Sequence, residues 1–131
     1  MFEVKVRSHL FIAHSLKHQS FGKAANLHGA TYVVDLIITA DSLEDNNVVI
    51  DIEIASDVLK KCLDKYNFKN LDDIDELSGE ITTTEFIART LVQDFIASLD
   101  NSNLIKPHIK SIKAILNESH IASASYEQKV N

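Results

Sequence analysis

Residues 2–16 alternate between apolar and polar positions, and that period fixes what the start of the chain can form. Phe2, Val4, Val6, Leu10, Ile12, His14 and Leu16 share one parity, while Glu3, Lys5, Arg7 and His9 share the other. Successive side chains of a strand point to opposite faces, so a period of two specifies a strand with one buried face. His14 falls on the inward parity, an unusual place for a polar ring. Residues 17–27 (KHQSFGKAANL) are polar and irregular and read as a loop. Residues 31–40 are rich in β-branched side chains and read as a second strand. Residues 41–47 are acidic and turn-like.

The period then changes. Ile54, Ala55, Val58, Leu59, Cys62 and Leu63 follow helical spacing, which predicts a helix over about 52–65. Residues 67–80 form an acidic loop. Thr83 or Thr84 can cap a second helix, with Glu85 in its first turn and Ile87, Ala88, Leu91, Val92, Phe95 and Leu99 as its apolar stripe. Residues 101–107 break it. Residues 108–117 and 119–127 read as two further strands, and 128–131 as a frayed tail. The order ββααββ predicts an α+β fold: a four-stranded antiparallel sheet with two helices on one face. Such a sheet leaves two edges, and unprotected edges invite pairing with another chain.

Composition narrows the function classes. The chain has 131 residues, 45% hydrophobic and 24% charged, which suits one globular domain spanning 1–131. A net charge of −6 argues against a general nucleic-acid binder. Cys62 is the only cysteine, so no disulfide framework exists within one chain and a reducing compartment is expected. No leader is expected, because Met1 leads directly into alternating polar and apolar residues, and no apolar run approaches the ~20 residues of a membrane helix. A cytoplasmic location without membrane contact is the expectation.

Several residues carry candidate chemistry. His14 and His28 sit at or near strands; each is a possible metal ligand or a histidine satisfied by a hydrogen bond. Ala30 stands where a His-Gly-His pattern would place another ligand on the same strand face. Catalytic zinc takes three protein ligands and a water. Glu118, at the end of an apolar strand run, is either a solvated turn residue or a carboxylate able to accept two N–H bonds from a guanidine-like edge. Thr82, Thr83 and Thr84 read as a helix cap whose free N–H groups can also hold a polar ligand. Lys17, His18 and Lys23 form either a phosphate-attracting patch or a solvated face, and Cys62 lies on the apolar stripe of the first helix as a packing residue.

Taken in order, these segments resemble the 6-pyruvoyltetrahydropterin synthase family, which includes the bacterial 6-carboxytetrahydropterin synthases. Leu10-Phe11-Ile12-Ala13-His14-Ser15-Leu16 is similar to the family's Phe-Ser-Ala-Ala-His-Arg-Leu strand. Asn26-Leu27-His28-Gly29-Ala30-Thr31-Tyr32 is similar to its Leu-His-Gly-His-Asn-Tyr motif. Val48-Val49-Ile50-Asp51-Ile52 resembles the entry to the first helix, and Lys69-Asn70-Leu71-Asp72 the segment after it. Thr83-Thr84-Glu85-Phe86-Ile87-Ala88 resembles Thr-x-Glu-Asn-x-Ala, and Glu118-Ser119 followed by Tyr126 resembles the family's closing Glu-Thr…Tyr.

The resemblance implies the tunnelling fold (T-fold), a homo-oligomer built edge to edge as a hexamer of two trimers, and a pterin or purine-like small-molecule ligand. It implies Glu118 as the ring anchor with Thr83 and Thr84 beside it, and His14 and His28 as zinc positions. The third zinc position falls on Ala30, the cysteine base on Ala24, and the Asp-His pair on Asn67 and Phe68. If active, the chain would be a carbon-oxygen lyase on 7,8-dihydroneopterin triphosphate, but with that set incomplete no catalytic residue is assigned. A general base must be a titratable group within reach of the proton, which alanine, asparagine and phenylalanine are not. The expectation is a divergent member that grips the ring without the usual lyase step. The alternatives are a lyase with substitute groups, such as His18, His9 or a residue of a neighbouring subunit, and a non-catalytic assembly protein.

Overall fold

The computed structural model describes residues 1–131. Strand β1, Phe2–His14, pairs antiparallel with β2, His28–Ala40, in an unbroken register from Phe2↔Ala40 to His14↔His28. Helix α1, Ile52–Asp64, starts at Asp51, whose carboxylate accepts from the backbone N–H of Glu53 and Ile54. After α1 comes a two-residue strand β3, Lys69–Asn70, then helix α2, Thr84–Asn101. Strands β4, Ile109–Asn117, and β5, Ser123–Lys129, complete the sheet in the order β3-β1-β2-β4-β5. The ββααββ arrangement and its four antiparallel strands are as the periodicity predicts.

The sheet buries the parity that the alternation marks. Val6, Leu10 and Ile12 of β1, Tyr32, Val34, Leu36 and Ile38 of β2, and Ile112, Ala114 and Leu116 of β4 are buried together with the apolar stripes of both helices. Cys62 belongs to this cluster; burial pushes its thiol above the ordinary range, and its Sγ lies 3.9 Å from Ser98 Oγ. It is a packing residue.

Four details differ from the sequence-based expectation. β2 begins at His28, because the ladder with β1 continues through Gly29, and this sets His28 directly opposite His14. The 17–27 segment contains 3-10 turns over Gln19–Ala25, kinked at Gly22, where φ is +55°. β5 starts at Ser123, after a turn in which Ala122 O accepts from Glu118 N and Ser119 N. The tail is tied rather than frayed: Asn131 Nδ2 donates to Lys106 O and Ile109 O, and Val130 N donates to Lys110 O.

The fifth strand is a tertiary feature. Lys69 and Asn70 pair parallel with Ile12 and Ala13, and the approach is made by Asn67. Its side-chain oxygen accepts from Phe11 N at 2.8 Å and its amide donates to His9 O at 3.1 Å. One side chain thus pairs with the β1 edge as a peptide group would. The next residue, Phe68, takes φ +60° and donates its N–H to Phe11 O at 2.7 Å. A left-handed conformation costs a non-glycine residue roughly 1–2 kcal/mol, which this hydrogen bond and the Asn67 clamp offset. An aspartate at position 67 could accept from Phe11 N but not donate to His9 O. Asn67→Asp is therefore expected to destabilise the fold by about 1 kcal/mol, measured as a lower urea midpoint at unchanged m-value.

Candidate functional site

The inward parity of β1 and the early start of β2 bring His14 and His28 face to face. Their ring centroids are 4.7 Å apart at an interplanar angle of 61°. His14 is 2% exposed, and its Nδ1 shares a hydrogen bond of 3.1 Å with Oγ1 of Thr82, itself buried. His28 Nδ1 donates to the carbonyl of Asn26 at 2.8 Å, which leaves the lone pair on Nε2. Burial first, and then the neighbouring His28, hold His14 below the usual histidine range, with Thr82, Asp72 and Glu118 acting in the opposite sense. His14 is consequently a neutral imidazole at pH 7.

Glu118 begins the β4–β5 turn and is exposed, yet its charge reaches both His14 and Tyr32. Tyr32 is 1% exposed, and its hydroxyl lies 3.5 Å from Thr84 Oγ1. Burial raises the Tyr32 phenol above its ordinary value, so it stays protonated. The histidine pair, Thr82, Tyr32, Thr84 and the field of Glu118 therefore meet at one end of the sheet. The three threonines diverge. Thr82 turns to His14, Thr83 caps α2 by accepting from Phe86 N at 3.2 Å, and Thr84 turns to Tyr32. Of the first-loop residues, His18 is spent locally, its Nδ1 accepting from Ser20 N.

The zinc implied by the family resemblance can be tested against the donors present. By register, Ala30 pairs with Ile12 as His28 pairs with His14, so Ala30 lies two residues from His28 on the same sheet face. Its methyl group has no lone pair. No group of three His, Cys, Asp or Glu side chains lies together in an arrangement that could hold a metal ion. Asp72, the acid close to this end of β1, is engaged by the hydroxyl and N–H of Ser15. The residues present do not fit a three-ligand zinc centre within one chain.

Sequence reasoning missed Tyr32, which reads as an ordinary strand residue, and the pairing of Thr82 with His14, since the threonines read only as a cap. Asp35 lies outside the site: it interrupts the apolar run of β2 and is 5% exposed on the sheet face away from the helices. It takes Nε and Nη2 of Arg7 at 2.6 and 2.9 Å, and Asn117 Nδ2 at 3.2 Å. A lone acid in an apolar strand was the available signal. The Arg7 hydrogen bond is the main cause that holds the Asp35 carboxyl below its usual range; burial opposes it, and the Arg7 charge adds to it. A depressed carboxylate contributes stability that is complete above its unfolded pKa, about 4, and is lost as pH falls through the lower folded value. The urea-midpoint gap between the parent and Asp35→Asn should therefore be wide at pH 7 and narrow toward pH 3.

Comparison with known proteins agrees with this architecture. The family model described as 6-pyruvoyl tetrahydropterin synthase matches residues 3–129, and the chain belongs to that family. It is 30% identical over 108 residues to the 6-carboxy-5,6,7,8-tetrahydropterin synthase of Bacillus subtilis (strain 168), covering 76% of this chain and 71% of that protein. It is 36% identical over 81 residues to the 6-pyruvoyl tetrahydrobiopterin synthase of Dictyostelium discoideum, covering 60% of each. The solved structure of the Plasmodium falciparum 6-pyruvoyl tetrahydropterin synthase superposes with a TM-score of 0.81 over 98% of both chains at 22% identity, a likeness of fold. The fold is the T-fold, and no helix is long and apolar enough to cross a membrane.

Proposed function

We propose that this chain binds a pterin or purine-like ring at the His14–His28 end of the sheet and does not carry out the usual lyase step. The observation that carries the reading is the convergence there of a buried neutral His14, its partner His28, and the field of an otherwise unengaged carboxylate, Glu118. In this reading Glu118 accepts two parallel N–H bonds from the guanidine edge of the ring, the geometry a carboxylate adopts with arginine. Thr83 and Thr84, at the start of α2, lie beside the ring. The imidazoles of His14 and His28 face the ring's substituent. Proton transfer at that substituent lacks the base and relay of the family's pattern, because Ala24 carries no titratable group and Asn67 is committed to the β1 edge.

The same reading takes residues 1–131 as one domain that works in the cytoplasm as a hexamer of two trimers, with the ring site beside a subunit boundary. The experiment is equilibrium binding of pterin to the purified protein, together with incubation of the protein with 7,8-dihydroneopterin triphosphate. Saturable pterin binding without conversion of the triphosphate is expected. Turnover would replace this reading with a working lyase, and failure to bind pterin would defeat it.

A further inference from the structure

The two free edges of the sheet match each other. β1 and β5 flank the four antiparallel strands and run in opposite directions. β3 and the Asn67 clamp cover β1 only from His9 onward, which leaves Phe2–Ser8 unpaired on that side. β5 has 7 residues, the length of that free segment. The backbone phase agrees as well. Asn67 meets His9 O and Phe11 N, so the odd residues of β1 direct their N–H and C=O outward. Val130 N donates to Lys110 O, toward β4, so the odd residues of β5 direct theirs outward too. Side chains follow the same parity. The odd residues of β5, and those of β1 from Glu3 to Phe11, are exposed on the face away from the helices, while even ones such as Val6 and Tyr126 face the core.

We propose that β5 of a second copy docks antiparallel on the β1 edge in one register, with Glu3 opposite Lys129 and Lys5 opposite Glu127. Face and phase restrict the choice to shifts of two residues, because a shift of one would turn apolar side chains to the polar face. Among those, charge selects. In this register both pairs join unlike charges, and none of the four groups takes part in an ion pair within its own chain. A shift of two residues one way sets Glu3 against Glu127, and the other way Lys5 against Lys129; like charges directly opposite oppose pairing. The even side chains agree, with Val6 opposite Tyr126 and Phe2 opposite Val130. Counting on past Ser123 brings Ile121 of the second copy level with Phe11, whose ring stacks on Phe68 at 5.3 Å between centroids. Phe11, Phe68 and Ile121 are 37%, 81% and 84% exposed in the single chain, and this register covers them together. The register supplies residues for the subunit boundary proposed above and does not depend on the ring ligand.

The test begins with Val4→Cys combined with Gln128→Cys, which sets two thiols on a non-hydrogen-bonded pair of the register, where side chains come closest. Within one chain β1 and β5 are three strand spacings apart, about 14 Å, so oxidation can join these thiols only between copies. Covalent oligomers on non-reducing gels are expected. The pair two residues out of register, Val4→Cys with Val130→Cys, should cross-link at least about tenfold more slowly. In sedimentation velocity at low salt, Glu3→Lys and Lys129→Glu should each weaken association about tenfold, and the double variant should recover the parent's behaviour. Both positions are exposed, so the single variants should keep the parent's circular dichroism. A parent that stays monomeric, equal cross-linking by the two cysteine pairs, or failure of Lys129→Glu to rescue Glu3→Lys, as pairing of β1 with β1 would give, would each overturn the proposal. Pterin titration of the same proteins keeps the two readings apart: loss of pterin binding with in-register cross-linking intact strikes the ring reading alone.

Discussion

Ala30→His is expected to raise zinc affinity by about 100-fold or more, because loss of even an outer-shell partner of a metal site typically costs 10–100-fold. Position 30 follows His28 by two residues on one strand face, about 7 Å along β2, and lies across from Ile12 beside His14. A histidine there would join two imidazoles whose Nδ1 atoms are already held, His28 by the Asn26 carbonyl and His14 by Thr82. Such outer hydrogen bonds orient a ligand ring and direct its Nε2 toward a metal. Ala30 is half-buried at the margin of the core, on the same strand face as His28. Competition with a chromophoric chelator would measure the gain in Ala30→His, and His14→Ala added to that variant should erase it. Equal affinity in the parent and Ala30→His would mean that the two imidazoles do not converge on a common point.

Phe95→Ala carries the largest expected effect on stability. Phe95 is fully buried on α2 within the cluster that joins both helices to the sheet. Truncating a buried phenylalanine costs about 3–5 kcal/mol, from lost transfer energy plus the cavity left behind. A domain has only about 5–15 kcal/mol to lose, so the variant should unfold roughly 10–20 °C lower. Phe68→Ala is the contrast: that ring is 81% exposed and should contribute less than about 1 kcal/mol. Thermal unfolding of the two variants beside the parent separates a core anchor from a surface aromatic of the same type.

What the sequence disclosed follows from where the forces are local. The alternation in β1 and the helical stripes of α1 and α2 are legible because each buries one face against a single core. The inward parity of His14 was legible for the same reason. Its meeting with His28 was not, since it depends on a ladder that runs three residues further than the β-branched run suggests. β3 was invisible because no strand-like residues make it; the side chain of Asn67 and the left-handed backbone of Phe68 do. The pinned tail depends likewise on tertiary hydrogen bonds, from the Asn131 side-chain amide and from Val130 N. Three successive threonines announced a helix start, but their separate partners are fixed by the irregular segment before α2.

The claim on which the functional reading rests is that Glu118 anchors the ring. Each of two hydrogen bonds to a charged acceptor contributes about 1.5–3 kcal/mol, so removing the carboxylate should weaken binding by at least about 100-fold. Calorimetric titration of pterin into the parent and Glu118→Ala is the direct measurement. A fall of that size in Glu118→Ala, with parent-like thermal stability, is the predicted result; equal pterin affinity in the two proteins would contradict it.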